Sequence, residues 1–132
     1  MVRYNTGQNT FKLIIVIALL EEAKPFIKQF KLQKWKTSKL KTYENGPILL
    51  VISGTGSDAI TVAVGYAAAL ASNYHRLFWL NLGSAGHPNY QIGTVILPAE
   101  VRDSISNLTF YPTPIIPGNF KRDKLQTLKL PS

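Results

Sequence analysis

Few side chains in this sequence can do chemistry, and their types narrow what that chemistry is. The chain of 132 residues holds seven Asp and Glu, two His and no Cys. Without cysteine there is no thiol nucleophile, no disulfide and no cysteine-built metal site. His75 and His87 cannot form a histidine-rich metal centre by themselves, so no metal and no cofactor are expected. What remains is carboxylate and hydroxyl chemistry beside glycine. Three clusters carry it: Glu21-Glu22 after an apolar run, Ser53-Gly54-Thr55-Gly56-Ser57, and Gly83-Ser84-Ala85-Gly86. A carboxylate so placed can take a proton from water or stabilise developing positive charge. Small residues in the two turns let backbone N–H groups come close to a ligand.

These groups need elements to hold them, and the hydrophobic pattern supplies those elements. Phe11 to Ala18 is rich in Ile and Val without polar alternation, which predicts a buried strand. Leu20 to Phe30 places Ala23, Phe26, Ile27 and Phe30 at helical spacing, with Glu21 and Glu22 in the first turn, where they suit the helix dipole. Pro25 fits that helix only if it starts late. Lys34 to Glu44 is basic and threonine-rich, Asn45-Gly46 signals a hairpin, and Pro47 to Ile52 reads as a second buried strand. Asp58 to Asn73 predicts a helix with Asp58 at its cap or in its first turn. Leu77 to Leu82, with Trp79 in the core, and Ile92 to Leu97 predict two more strands. Pro112, Pro114, Pro117 and Pro131 interrupt the remainder.

Length alone predicts a single domain. The expected layout is a flexible N-terminus over 1–10, an α/β domain with a mixed central sheet flanked by helices over 11–105, and a Pro-rich irregular segment over 106–132. Both glycine turns then fall at strand ends, where open α/β sheets bind ligands.

Gly54-x-Gly56-x-x-Ala59 meets the letter of the dinucleotide fingerprint, yet nothing acidic lies between Asp58 and Glu100 to hold a ribose. No Lys follows Gly56, so the phosphate loop of nucleotide hydrolases is also excluded. A plain tight turn is the competing reading. The net charge of +8 invites a nucleic-acid partner. Seven of the lysines, however, fall between Lys24 and Lys41, and only Trp35 and Tyr43 interleave with that stretch. A solvated helix face running into a lysine-rich edge strand is expected, without a nucleic-acid partner. Leu13 to Leu20 is too short to span a membrane, and Glu21 and Glu22 follow at once. The expectation is a cytoplasmic chain with no membrane partner.

Taken together, Ala18-Leu-Leu-Glu-Glu22, Ser53-Gly-Thr-Gly56, Asn81-Leu-Gly-Ser-Ala-Gly86 and Ile92-Gly-Thr-Val-Ile96 resemble the nucleoside phosphorylase and nucleosidase superfamily. Within it the pattern is most similar to the methylthioadenosine/S-adenosylhomocysteine nucleosidases. The resemblance covers about residues 11–103. It implies a phosphorylase/nucleosidase-like fold, incomplete here, with a purine nucleoside as small-molecule partner and a homodimer as assembly. It also implies that Glu22 orients and deprotonates the attacking water and that Ser53 helps hold that water. Gly54, Gly83, Ser84, Ala85 and Gly86 would line the nucleoside cavity. Asn81 stands where phosphorylases of the superfamily carry a phosphate-gripping arginine, which favours hydrolysis over phosphorolysis. His87 is expected on a turn surface, and His75 as a dipole partner at a helix end.

The superfamily's purine-protonating aspartate and ribose-gripping glutamate lie in a second half that this chain lacks; Asp103 and Asp123 match neither motif. The resemblance therefore implies a truncated nucleosidase with impaired or no activity alone. A nucleoside phosphorylase and a non-catalytic nucleoside-binding module are the alternatives.

Overall fold

A computed structural model describes residues 11–71, 76–112 and 116–128. Residues 1–10, His75, Pro114 and Pro131 lie outside the described residues. The chain divides into two compact units, one ending at Ala85 and the other beginning at Gly86.

The first unit runs β1 (Leu13–Ile17), α1 (Leu20–Gln29), β2 (Gln33–Lys34), β3 (Thr42–Asn45), β4 (Ile48–Ile52), α2 (Ser57–Leu70) and β5 (Phe78–Leu82). Its mixed sheet has the order β2-β3-β4-β1-β5. β1 is parallel to both neighbours, with Ile17 opposite Ile52 on one side and Leu82 on the other. β3 and β4 form the antiparallel hairpin, with Gly46 at φ 56° in its turn.

Burial on both faces explains why β1 and β4 lack polar alternation. Ile14, Val16, Leu49 and Val51 pack with Ala63 and Ala67 of α2. Ile15, Ile17 and Leu50 pack with Ala23 of α1, Leu32 and Tyr43. The alanines let each helix sit close to the sheet. Each fully buried Ile, Leu or Val contributes about 1.5–3 kcal/mol through apolar area removed from water. Thr42, fully buried on β3, donates to the Leu40 carbonyl at 2.8 Å and shares a 3.1 Å hydrogen bond with the Tyr66 hydroxyl.

Two expectations for this unit need correction. α1 starts at Leu20 despite Pro25 in its interior. Pro25 and Glu21 are both solvent-exposed, so the Glu21 carbonyl, which proline cannot serve as a donor, lies on the solvent side of the helix, where losing that bond costs least. Trp79 is 36% exposed rather than core, because β5 is the last strand of its sheet. All seven lysines from Lys24 to Lys41 are exposed, and the edge strand β2 is only two residues long.

The second unit holds β6 (Glu100–Asp103), β7 (Thr109–Phe110) and β8 (Lys124–Thr127), in the order β7-β6-β8. β6 is antiparallel to β7 and parallel to β8. The strand expected over Ile92 to Leu97 is absent; Ile96 makes only an isolated bridge to Lys121. Gly93 has φ 92°, which breaks an extended run, and Ile92 and Val95 are exposed, so no packing favours a strand there. Two short strands, β7 and β8, instead occur within the Pro-rich stretch. Among the described residues no helix is long and apolar enough to cross a membrane.

Candidate functional site

Glu22 sits in the first turn of α1, just past the carboxyl end of β1. The strand register places Ala18, Ser53 and Gly83 at the same sheet edge, each following a residue of the Ile17, Ile52 and Leu82 row. Ligands of open α/β sheets bind at such an edge.

The Glu22 carboxylate is held by three donors from two parts of the chain. Ser84 reaches its Oε1 with both its hydroxyl, at 2.6 Å, and its N–H, at 3.0 Å. The Leu19 N–H donates to Oε2 at 3.3 Å. This last contact is half of a capping box, since Leu19 has no side-chain acceptor to complete it. A carboxylate offers about four acceptor positions, so one remains on Oε2 for a water. The Ser84 hydroxyl, and next its N–H, hold the Glu22 carboxyl below the usual carboxylate range; partial burial opposes them and the Leu19 N–H adds to them. Glu22 is therefore ionised at neutral pH, able to accept a proton and to face positive charge, although its donors lower its basicity.

Ser53 and Gly54 turn the chain from β4 toward α2. The Ser53 N–H donates to the Ile17 carbonyl at 2.9 Å and the Gly54 N–H to the Ala18 carbonyl at 3.0 Å, which ties this turn to the end of β1. Ser53 is nearly buried, and its hydroxyl donates to the Gly54 carbonyl at 2.7 Å. No hydrogen bond joins Ser53 to Glu22: the Ser53 hydroxyl is engaged with Gly54, and the Glu22 carboxylate with Leu19 and Ser84. Gly54 at φ 82° and Gly56 at φ 99° adopt backbone conformations that favour glycine. A Cβ on Gly54 would lie 3.8 Å from the Ala59 Cβ, so the helix packs close behind the turn.

Gly83, Ser84 and Ala85 are exposed, and a side chain on Gly83 would meet nothing within 4 Å. Gly86 opens the second unit and is also exposed. The sequence marks Ser84 only as a small lining residue; its grip on Glu22, 62 positions away, has no local signature. Asn81 lines an apolar hollow with Val16, Ile60, Val64, Trp79 and Leu80.

A second polar cluster lies inside the second unit. The His87 ring stacks on Tyr90 with centroids 3.8 Å apart, and its Nδ1 accepts the N–H groups of Asn89 and Tyr90 at 3.0 and 3.1 Å. The Tyr90 hydroxyl donates to Asp123 Oδ2 at 2.6 Å, which raises the Tyr90 hydroxyl and lowers the Asp123 carboxyl from their ordinary values. Sequence spacing gives no hint of this cluster, since Asp123 lies 33 residues from Tyr90. Among the described residues, no three His, Asp or Glu side chains are grouped so as to hold a metal ion.

No protein-family model matches the sequence, and no curated protein matches it. Solved structures do match in three dimensions. A 5'-methylthioadenosine/S-adenosylhomocysteine nucleosidase from S. pneumoniae, solved with a transition-state inhibitor, aligns with a TM-score of 0.64 and 17% identity over 89% of this chain and 64% of its own. The corresponding nucleosidase from Colwellia psychrerythraea, in complex with adenine, aligns with a TM-score of 0.59 and 16% identity over 89% and 61%. Uridine phosphorylase from Schistosoma mansoni, in complex with thymine, aligns with a TM-score of 0.59 and 16% identity over 72% of this chain and 37% of its own. The chain thus spans less than two thirds of each. With β1, β4 and β5 parallel, a hairpin on one side and helices on both faces, this chain has the mixed α/β fold of the nucleoside phosphorylases and nucleosidases, over part of the length those enzymes have.

Proposed function

We propose that this chain supplies the water-activating side of a site that hydrolyses the N-glycosidic bond of a purine nucleoside, in the cytoplasm and as a homodimer. The observation that carries the proposal is the Glu22 carboxylate, ionised and fixed by Ser84 at the carboxyl end of the sheet, with one acceptor position left for water. In this reading Glu22 Oε2 takes a proton from water as its oxygen bonds to the anomeric carbon. The carbon–nitrogen bond breaks, and the base leaves with the pair of electrons and needs a proton of its own. The carboxylate also faces the positive charge that builds on the sugar. Ser53 helps hold the water, and Gly54 with the turn from Gly83 to Gly86 lines the nucleoside. Asn81, in place of a guanidinium, supports water rather than phosphate as nucleophile.

No residue here matches an acid for the leaving base, so the chain alone is expected to lack the roughly 10²- to 10⁴-fold that proton transfer to the leaving group gives. The test incubates the 132-residue chain with methylthioadenosine and with inosine, follows free base by chromatography and measures binding by calorimetry. Weak binding that Glu22→Gln and Ser84→Ala both reduce, with negligible release of base, is the expected result. Absence of binding to either nucleoside would overturn the reading. Robust base release abolished by Glu22→Gln would show that acid and base both lie within these residues, and the half-site would be wrong.

A further inference from the structure

Seven of the 15 Lys and Arg residues lie between Lys24 and Lys41 with no acidic residue among them, and the fold turns that run of charge into a fixed surface. Lys24 and Lys28 stand one helical turn apart on the exposed side of α1. Lys31, at φ 51°, leads from the helix toward β2. Lys34 registers with Tyr43, which packs with Ala23 of α1, so Lys34 stands on the α1 side of the sheet. Lys36, Lys39 and Lys41 follow in the connection to β3. Between these cations, Leu32 packs into the cluster beneath α1, and Trp35 and Leu40 pack against the cluster beneath α2. The Trp35 N–H donates to the Thr42 carbonyl at 2.8 Å, and the Ser38 hydroxyl donates to the Leu40 carbonyl. The segment is pinned to the core by its apolar residues and presents its lysines already arranged, which leaves less to be ordered on binding.

All seven lysines are exposed, and among the described residues only Lys24 meets an acid, Glu21 at 2.8 Å. Glu44, the next acid along the chain, is 8% exposed. From Leu49 to Ala71 the only charged residue is Asp58, so the positive field is one-sided. Guarding β2, two residues long, against another strand needs little more than a cation on that strand. The lysines run beyond it in both directions, onto α1 and into the connection to β3. Their type points to the partner. Every cation in the segment is Lys, a compact point charge, and none is Arg, whose planar fork grips carboxylates bidentately. Lysine is depleted in protein interfaces, which also take buried apolar anchors. Phe30 is the one exposed large apolar residue between Lys24 and Lys41. The same scarcity disfavours a membrane surface, where stable attachment takes an apolar insertion beside the basic patch. A uniform row of phosphates asks for neither fork nor anchor.

We infer that the lysine surface from Lys24 to Lys41 binds the phosphate backbone of a nucleic-acid duplex, without sequence preference. Trp35 and Tyr43, the aromatics that interleave with the lysines, pack against the core, Tyr43 with 8% exposure, so bases cannot stack on them. That disfavours a single strand, which proteins hold by stacking as well as by charge, and favours a duplex, whose backbone is bound by charge alone. The lack of free aromatics, which in the sequence speaks against a nucleic-acid partner, bears on stacking and not on phosphate contacts. The inference is separate from the nucleosidase reading, since it uses neither Glu22 nor the glycine turns.

Fluorescence anisotropy of two labelled DNA duplexes of unrelated sequence, titrated with the full 132-residue chain over a KCl series, tests it. The expected result is the same affinity for both, with a Kd of about 10⁻⁶ to 10⁻⁴ M near physiological salt and a log–log salt slope of about −4 or steeper. Lys34→Gln combined with Lys36→Gln should weaken binding at least about tenfold and make the slope shallower by about 2. Lys121→Gln combined with Lys124→Gln removes the same charge from the second unit and should change the Kd by less than about twofold. Amide shifts on adding duplex should cluster at residues 24–41, a readout that needs no variant. A chain that binds neither duplex at about 50 mM KCl overturns the inference. So does equal weakening by the two double variants, tighter binding of a single strand of the same length, or binding to phosphatidylserine vesicles in place of the duplex. Circular dichroism of both double variants confirms that each is folded before the comparison is read.

Discussion

Residues 11–85 and residues 86–128 are held together by different forces. Every buried residue in the described chain lies between Phe11 and Ala71. There two helices and a sheet enclose side chains of β1 and β4 that are almost wholly removed from water. From Gly86 onward no described residue is buried, and Ile92, Val95, Ile105, Leu108, Phe110 and Tyr111 are exposed. That unit is organised by ladder bonds, by Asp103 receiving the Ser106 and Thr127 hydroxyls, and by the His87–Tyr90–Asp123 cluster. Hydrogen bonds exchange with water and contribute only about 0.5–1.5 kcal/mol each, whereas burial accumulates with area. The comparison teaches that regular strands do not imply equal stability: the first unit has a hydrophobic core, and among the described residues the second shows none of its own.

The largest expected effect comes from cutting that core. Leu50→Ala should destabilise the first unit by about 2–5 kcal/mol in urea unfolding, since it removes a fully buried side chain in mid-sheet. Phe110→Ala, at an exposed position, should stay within about 0.5 kcal/mol. Equal losses at the two sites would erase the distinction between the units. Native-state hydrogen exchange sharpens it further: β1 and β4 amides should be the slowest, and those of β6 to β8 should exchange by local opening.

A smaller effect is expected at the turn between β4 and α2. Gly56→Ala places a Cβ on a residue with φ 99°, strained even though the space around it is open, and should cost about 1–2 kcal/mol. A neutral result by thermal unfolding would mean that this turn relaxes freely and is a poor scaffold for a site.

The smallest effects are those of pH. Ser84 holds the Glu22 carboxyl low, so their link is complete above the ordinary carboxylate range and is lost as pH falls through the lowered value. In the second unit Asp123 is likewise lowered, chiefly by Tyr90, while Tyr90 is raised, chiefly by Asp123. That link is therefore intact at neutral pH, loosened by acid as Asp123 gains its proton, and loosened by alkali as Tyr90 passes its raised value. Amide shifts of Ser84 and of Tyr90 in an NMR titration follow the two events separately. A Ser84 amide that does not move with Glu22 would break the proposed fixation.

Local signals carried much of the first unit. The unbroken apolar runs at β1 and β4 and the Asn45-Gly46 turn specify buried strands and a hairpin through side-chain pattern and backbone preference alone. Ile92 to Leu97 shows the same pattern and fails as a strand: Gly93 breaks the extended run, Ile92 and Val95 have no covering layer, and only Ile96 finds a partner, in its bridge to Lys121. The role of Trp79 was misread for the same reason: strand propensity does not reveal whether a strand is central or at an edge.

The sequence by itself determined the α/β class, the parallel-sheet strands, the glycine turns and the carboxylate of Glu22 at a helix start, since each rests on interactions within a few residues. Tertiary structure alone decided that Ser84 would clasp Glu22, that β1 would lie between β4 and β5, that Tyr90 would find Asp123, and that the chain would divide after Ala85. Those outcomes depend on pairings between residues tens of positions apart, and loop closure brings such residues together at a cost that no local pattern records.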